Sequence, residues 1–206
     1  MKDFYQRNLP HYQPAGGEFF VTFRLANSLP QKIIQSLKQE FKESIKAEGE
    51  ENRNHLNKRY FGKFDSLLDH SESGEKWLEN DEIAKIIANK IHDFDDDKYV
   101  LICFCIMPNH VHLLFKLSKR DKARSTYPVT NILRLIKGST ARKANKILGR
   151  SGSFWQHESY DHLVRSDDER ERIIRYILNN PVKAGLSDFW KDWRWTYCKE
   201  EYLPVR

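Results

Sequence analysis

His110-Val111-His112 sets two imidazoles two residues apart in the stretch HVHLLFKL. In an extended strand alternate side chains share a face. His110, His112, Leu114 and Lys116 then project one way, and Val111, Leu113, Phe115 and Leu117 the other. The second set is wholly apolar and suits a core. The first leaves two neutral imidazoles side by side, an arrangement able to share one divalent metal ion. The competing reading is a plain surface pair: eight histidines in 206 residues give roughly 0.3 His-x-His pairs by chance. Placement directly after Met107-Pro108-Asn109, with a clean apolar backing face, favours chemistry.

A second constellation lies in DERERIIRYILNN, residues 168–180. At helical spacing Ile173, Ile174, Ile177 and Leu178 form one stripe, while Glu169, Arg172, Tyr176 and Asn180 fall on another face. Tyr176 and Asn180 are one turn apart, so a phenol and an amide oxygen can address one point. A phenol with its usual pKa of about 10 is a poor nucleophile. It becomes useful where a nearby metal ion stabilises the charge developing on a phosphorus centre. The rival readings are a tyrosine on an amphipathic helix and an Asn180-Pro181 helix stop.

These residues need a scaffold. Glu18 to Ala26 (EFFVTFRLA), after Gly16-Gly17, reads as a strand. Residues 31–48 carry Ile33, Ile34, Leu37, Phe41 and Ile45 at helical spacing. A short helix is expected around Tyr60 to Leu68, and another over residues 81–93. Lys98 to Ile106 and His110 to Leu117 flank a Pro-Asn break and read as an antiparallel pair. Residues 130–148 form a basic helix capped by Thr130, His162 to Arg165 a short strand, and residues 167–180 a helix ending before Pro181. The order predicts an α+β fold: a ferredoxin-like antiparallel sheet in β-α-β-β-α-β order, with extra helices after the first helix and the tyrosine on a C-terminal helix. One domain is expected over residues 1–206, with a helical insertion at about 50–95 and a Trp-rich segment at about 187–206. Trp190, Trp193, Trp195 and Tyr197 of that segment suit a packed anchor better than base stacking. Residues 50–80 carry no recognisable motif.

Charge is unevenly placed. The chain is +6 overall, yet Lys116 to Arg150 holds eleven Lys/Arg against one acid, Asp121. The remainder is mildly acidic. A concentrated basic segment predicts a polyanionic partner, with Arg134, Lys137, Arg142, Lys143, Lys146 and Arg150 available for phosphates. A solvated charged face is the alternative.

Other function classes are excluded or weakened. The 39% hydrophobic and 13% aromatic content argues against disorder of the whole chain. Tyr99 to Met107, the longest apolar run, is far short of the roughly 20 residues that cross a bilayer. No secretory h-region is visible, so a cytoplasmic protein is expected. Cys103, Cys105 and Cys198 lack zinc-site spacing and read as reduced thiols. Neither a phosphate-loop nor a dinucleotide-binding glycine motif occurs, so no nucleotide cofactor is expected.

Taken together, Met107-Pro-Asn-His-Val-His-Leu-Leu, Leu135-Ile-Lys-Gly-Ser-Thr-Ala-Arg-Lys, Phe154-Trp-Gln and Arg175-Tyr-Ile-Leu-Asn-Asn-Pro-Val-Lys-Ala-Gly-Leu resemble the single-tyrosine HUH transposases. The likeness is greatest to their REP-associated tyrosine branch and runs from about Phe19 to Trp195. The resemblance implies that His110, His112 and Asn180 hold a Mg²⁺ or Mn²⁺ ion and that Tyr176 is the nucleophile. It further implies cleavage and rejoining of single-stranded or hairpin DNA through a 5′-phosphotyrosine, by a monomer or homodimer. Relatives often have Gln where Asn180 stands. A non-catalytic hairpin-binding module and a metal-dependent phosphodiesterase using water are the alternatives.

Overall fold

A computed structural model of the chain describes residue 14 and residues 16–71, 73–118 and 128–204. The elements are β1 (Glu18–Arg24), α1 (Gln31–Glu48), α2 (Arg53–Asp69), α3 (Asp81–His92), β2 (Tyr99–Ile106) and β3 (His110–Leu117). They continue with α4 (Pro128–Ile147), β4 (Tyr160–Leu163), α5 (Asp167–Lys183) and β5 (Thr196–Cys198), joined by short 3-10 turns. The strands make one antiparallel sheet in the order β4-β1-β3-β2-β5. The fold is therefore the expected α+β one, with the histidine strand at the centre of the sheet.

Strand alternation gives the sheet two apolar faces. Phe19, Val21 and Phe23 of β1, Leu101, Phe104 and Ile106 of β2, and Val111, Leu113, Phe115 and Leu117 of β3 pack beneath α3 and α4. Phe20 of β1, Cys103 and Cys105 of β2, and Leu114 of β3 face the other way, against Ile174, Ile177 and Leu178 of α5. A register irregularity between Leu101 and Cys103 turns Ile102 and Cys103 to the α5 face together. All three cysteines are free thiols.

Several boundaries move from their sequence-based positions for physical reasons. Helix α3 is the one that shares the back face with α4, because Ile83, Ile87 and Ile91 give it a fully buried stripe. The α1–α2 hairpin instead buries just four apolar residues, Ile34, Leu37, Leu56 and Leu68, among the described residues. It is the element added beside the sheet, and α2 is longer than the short helix expected at 60–68. Helix α4 begins at Pro128, where a missing N–H costs nothing. Helix α5 starts on Ser166, whose Oγ accepts from the Glu169 N–H, as expected of a cap. It runs through Pro181 to Lys183 rather than stopping before the proline. The Ala184 N–H still reaches the Asn180 carbonyl, so Asn180 keeps its helical position.

The C-terminal tryptophans are anchors. Trp193 Nε1 donates to the Ile106 carbonyl at 2.9 Å, and Trp195 Nε1 to Asp81 at 3.2 Å. They thereby hold β5 on the sheet edge next to β2. Of the basic segment, Lys119, Arg120, Lys122 and Arg124 lie outside the described residues.

Candidate active site

Strand β3 runs between β1 and β2 with His110 paired to Arg24 and His112 to Thr22. Both imidazoles point to the α5 face and are completely buried. Their outer nitrogens are fixed first. Asn109 Nδ2 donates to the Leu68 carbonyl at 2.9 Å, which turns Asn109 Oδ1 toward His110 Nδ1 at 2.6 Å. An amide oxygen only accepts, so His110 carries its proton on Nδ1 and aims a lone pair from Nε2. His112 Nδ1 meets Thr22 Oγ1 at 2.8 Å, and Phe20 stacks on its ring. The two Nε2 atoms are 3.0 Å apart.

Helix α5 completes the pocket. Its buried stripe seats on the sheet, so Asn180 is buried with Nδ2 at 2.8 Å from His112 Nε2. One turn earlier, half-buried Tyr176 lies edge-on to the His112 ring, with centroids 5.5 Å apart. Four residues singled out in the sequence, His110, His112, Tyr176 and Asn180, thus converge on one point.

Two more residues arrive from α2, a segment without a recognised motif. Asp65 Oδ2 accepts a short hydrogen bond from Tyr176 Oη. Asp65 Oδ1 lies 3.5 Å from His112 Nε2 and 3.9 Å from His110 Nε2. Asp69 Oδ1 lies 3.7 Å from His110 Nε2, and its Oδ2 is 3.5 Å from Lys183 Nζ. The sequence shows two acids one helical turn apart, interleaved with Phe64, Leu67 and Leu68, a pattern that does not by itself say which face docks.

The electrostatics follow from burial. It pushes the His110 imidazolium down to about 3, and His112 well below its ordinary value, with His110 and Lys183 adding to the effect. Both rings are therefore neutral and able to ligate. Burial, reinforced by the neighbouring Asp69, pushes the Asp65 carboxyl up to about 8. Asp69 is raised too, again chiefly by burial.

The donor set can be tested against a metal ion. Among the described residues, the buried side-chain atoms lacking a hydrogen-bond partner are Asp65 Oδ1, Asp69 Oδ1, Asn180 Oδ1 and Ser187 Oγ. Three of these four belong to this pocket. Orphaned buried acceptors are costly, and oxygen donors beside two neutral imidazoles suit a divalent cation. Asp65, His110 and His112 each offer one ligand atom, all within 4.8 Å of one another. The residues fit a metal ion without naming which one.

The basic residues lie elsewhere. Helix α4 covers the opposite face of the sheet, so its cations are not at the histidines. Arg134, Arg142, Lys143 and Lys146 are exposed. Lys137 Nζ instead holds the loop before β4, bonding the Gln156 carbonyl at 2.9 Å and Ser159 Oγ at 2.6 Å. Arg150 bonds Asn145 at 2.7 Å and lies over the Trp77 ring at 4.1 Å.

Comparison with known proteins places this chain in a family. The model of IS200-like transposases matches residues 73–180, just over half of the chain. The chain belongs to the IS200-like transposase family. His110, His112, Tyr176 and Asn180 of this IS200-like protein fall within the matched residues; Asp65 and Asp69 do not. A Haemophilus influenzae protein named as a REP-associated tyrosine transposase is 34% identical over 96 residues, covering 45% of this chain and 54% of that protein. An uncharacterized protein of the same organism is 29% identical over 98 residues, 38% of this chain and 52% of its own length. The chain thus spans about half the length of the curated relatives it matches. A solved REP-associated tyrosine transposase bound to a REP hairpin superimposes with a TM-score of 0.50 at 18% identity, over 95% of this chain and 82% of that one. That likeness supports the fold. No helix among the described residues is long and apolar enough to cross a membrane.

Proposed function

We propose that this IS200-like protein cleaves and rejoins single-stranded DNA beside a hairpin, using Tyr176 as nucleophile and a divalent metal held by His110, His112 and Asn180. The observation that carries the reading is the convergence of Tyr176 with both imidazoles and Asn180 in one pocket of a transposase-family chain. The solved relative's REP hairpin makes a hairpin the substrate to try first.

A Mg²⁺ or Mn²⁺ ion bound there would polarise the scissile phosphate and offset its developing charge. The chain's own residues do the rest. Asn109 and Thr22 set the imidazole orientations, which keeps both Nε2 atoms aimed inward. Phe20 walls the pocket against water beside His112. Helix α5 carries Tyr176 and Asn180 one turn apart, so the phenol is presented at the ligand cluster. Attack by Tyr176 Oη on phosphorus forms the tyrosyl phosphodiester and releases the 3′-oxygen as a hydroxyl. One phosphodiester replaces another, so the step is reversible and needs no nucleotide.

Exposed cations of α4, Arg134, Arg142, Lys143 and Lys146, would contact the phosphates of a duplex stem from the other side of the sheet. Lys137 and Arg150 are engaged within the fold and fit that role less well. A cytoplasmic protein acting as a monomer or homodimer is in keeping with this reading.

The test is incubation with end-labelled hairpin DNA carrying a single-stranded flank, with Mg²⁺ or Mn²⁺, followed by a denaturing gel. A covalent adduct lost in Tyr176→Phe is the expected result. Cleavage without an adduct would point to hydrolysis by water, and tight binding without cleavage to a binding module.

A further inference from the structure

We propose that the inserted helix α2 is part of the catalytic centre: Asp65 joins the metal ligands through Oδ1 while its Oδ2 holds the hydroxyl of Tyr176, tying nucleophile and metal together through one carboxylate. The inference rests on the reading of the site given above, and adds to it residues from outside the family-matched segment.

The first observation is geometric. Asp65 is fully buried, its Oδ2 is occupied by Tyr176, and its Oδ1 is orphaned between the two Nε2 atoms at 3.5 and 3.9 Å. A carboxylate placed only to orient a tyrosine would not need to turn its second oxygen toward both imidazole Nε2 atoms, that of His110 carrying a lone pair. Asn180 Oδ1 is likewise buried and unpartnered. The unsatisfied oxygens of the pocket therefore come from two separate elements, α2 and α5, beside the imidazoles of a third, β3.

The second observation is how α2 is held. Among the contacts that join it to α5 are three polar ones: Lys58 to Glu169 at 2.8 Å, Asp65 to Tyr176, and Asp69 to Lys183 at 3.5 Å. On α5 these partners are seven residues apart each time, and on α2 seven and then four, so each set lies along one helix face. The helices run side by side in parallel, with Asp65 at the middle contact. Asn109, the residue before His110, grips the C-terminal end of α2 through the Leu68 carbonyl. The histidine strand and the tyrosine helix thus both clamp the helix that delivers Asp65.

The third argument is charge. Two neutral imidazoles and an amide bring no charge to a buried dication, whereas Asp65 and Asp69 would supply up to two negative ones on ionising beside it. Lys183, the positive group at their rim, is exposed and offsets one of them at most. Buried carboxylates in their ionised form are strongly disfavoured unless a cation joins them.

Mn²⁺ binding to the full chain without DNA, followed by the electron paramagnetic resonance of free Mn²⁺, tests this. Asp65→Asn and Asp65→Ala should each weaken Mn²⁺ binding by at least about tenfold, and by more than Tyr176→Phe, which keeps the carboxylate. A Mn²⁺ affinity in folded Asp65→Asn within twofold of wild type overturns the inference, and leaves the Tyr176 adduct reading standing. Binding that depends on Asp65 in a chain forming no adduct supports the inference and sinks the cleavage reading. Wild-type protein that binds no Mn²⁺ sinks both. A measurement on wild type alone guards against misfolded variants: Fe²⁺ with peroxide oxidises residues beside its ligands. Oxidation mapped by mass spectrometry should reach 63–67 as well as 109–113 and 176–180. Damage at the latter two segments with none at 63–67 overturns the inference.

Discussion

Tyr176 Oη donates to Asp65 Oδ2, a bond between residues 111 positions apart that joins the sheet-covering helix to the inserted one. Its consequence is that the phenol does not swing freely. Tyr176 is packed edge-on against Phe20 and His112, and the carboxylate fixes the remaining rotation of its hydroxyl.

Tyr176→Phe keeps those ring contacts and removes only the oxygen. We expect a folded protein without any covalent DNA adduct on a denaturing gel. Binding of the same hairpin, read by electrophoretic mobility shift, should change by less than about threefold, since the lost group contributes chemistry rather than area. An adduct that persists in Tyr176→Phe would assign the nucleophile elsewhere.

The buried titrating groups predict an unusual pH profile in chelator. Burial holds His110 at about 3 and His112 well below normal, whereas unfolded histidine titrates near 6.5. The unfolded chain therefore binds more protons below that pH, and stability falls as pH drops from about 6.5 toward 3. Asp65 has the opposite sign: raised to about 8 when folded, it binds a proton that the unfolded chain has lost above about 4. Its contribution declines as pH rises from about 4 to about 8, and Asp69, also raised, acts in the same direction. Facing Asp65 are Asp69 from its own helix, His110 and His112 from β3, Cys105 from β2, and Tyr176 and Lys183 from α5. Thermal melts should peak near pH 6.5 and decline toward pH 8.5, at up to about 1.4 kcal/mol per pH unit for each proton. Asp65→Asn should flatten the decline above pH 6.5. Identical profiles for the two proteins would show that Asp65 titrates normally.

The histidine strand and the tyrosine helix were legible because each rests on a local period: two residues in β3, three to four in α5. Each carries its chemistry in fixed relation to an unmistakable apolar stripe, opposite it in β3 and flanking it in α5. Asp65 was not legible for a matching reason. Helix α2 is mostly polar and buries little, so nothing local says which face docks or against what. Its acids acquire meaning only through α5, more than a hundred residues later. Asn109 was visible only as a strand break. Its two hydrogen bonds, one to His110 and one to Leu68, depend on where α2 ends. The basic helix shows the converse limit: charge density marked Lys116 to Arg150 without showing that α4 lies across the sheet from the histidines.

Glu169 holds the upper end of the α2–α5 pair. Although burial opposes its ionisation, hydrogen bonds from Lys58, the Arg165 N–H and His162 take its carboxyl down to about 2. A depressed carboxylate stabilises the fold above its unfolded value of about 4.5 and loses that effect as pH falls through about 2. Glu169→Gln should cost about 2 kcal/mol at pH 7 in urea denaturation. The gap to wild type should close below pH 4. If the hairpin's hold on the site depends on this contact, the variant should also bind Mn²⁺ more weakly without touching a ligand. A stability loss with unchanged Mn²⁺ affinity would confine Glu169 to the fold.

The cations of α4 predict a salt dependence separable from cleavage. Arg142, Lys143 and Lys146 are exposed on a helix facing away from Tyr176, so their phosphate contacts would be to the duplex stem. Each contact releases counterions, and log K then falls with log salt by close to one unit per phosphate. Replacing all three by Gln should flatten the slope for hairpin DNA by about two to three. The same change should weaken binding to stems of different sequence alike, since phosphates carry no sequence information. Lys137→Gln, by contrast, breaks bonds to the Gln156 carbonyl and Ser159 and should lower the melting temperature. An unaltered slope in the triple variant would leave α4 as a solvated face and move the DNA path to the α5 side of the sheet.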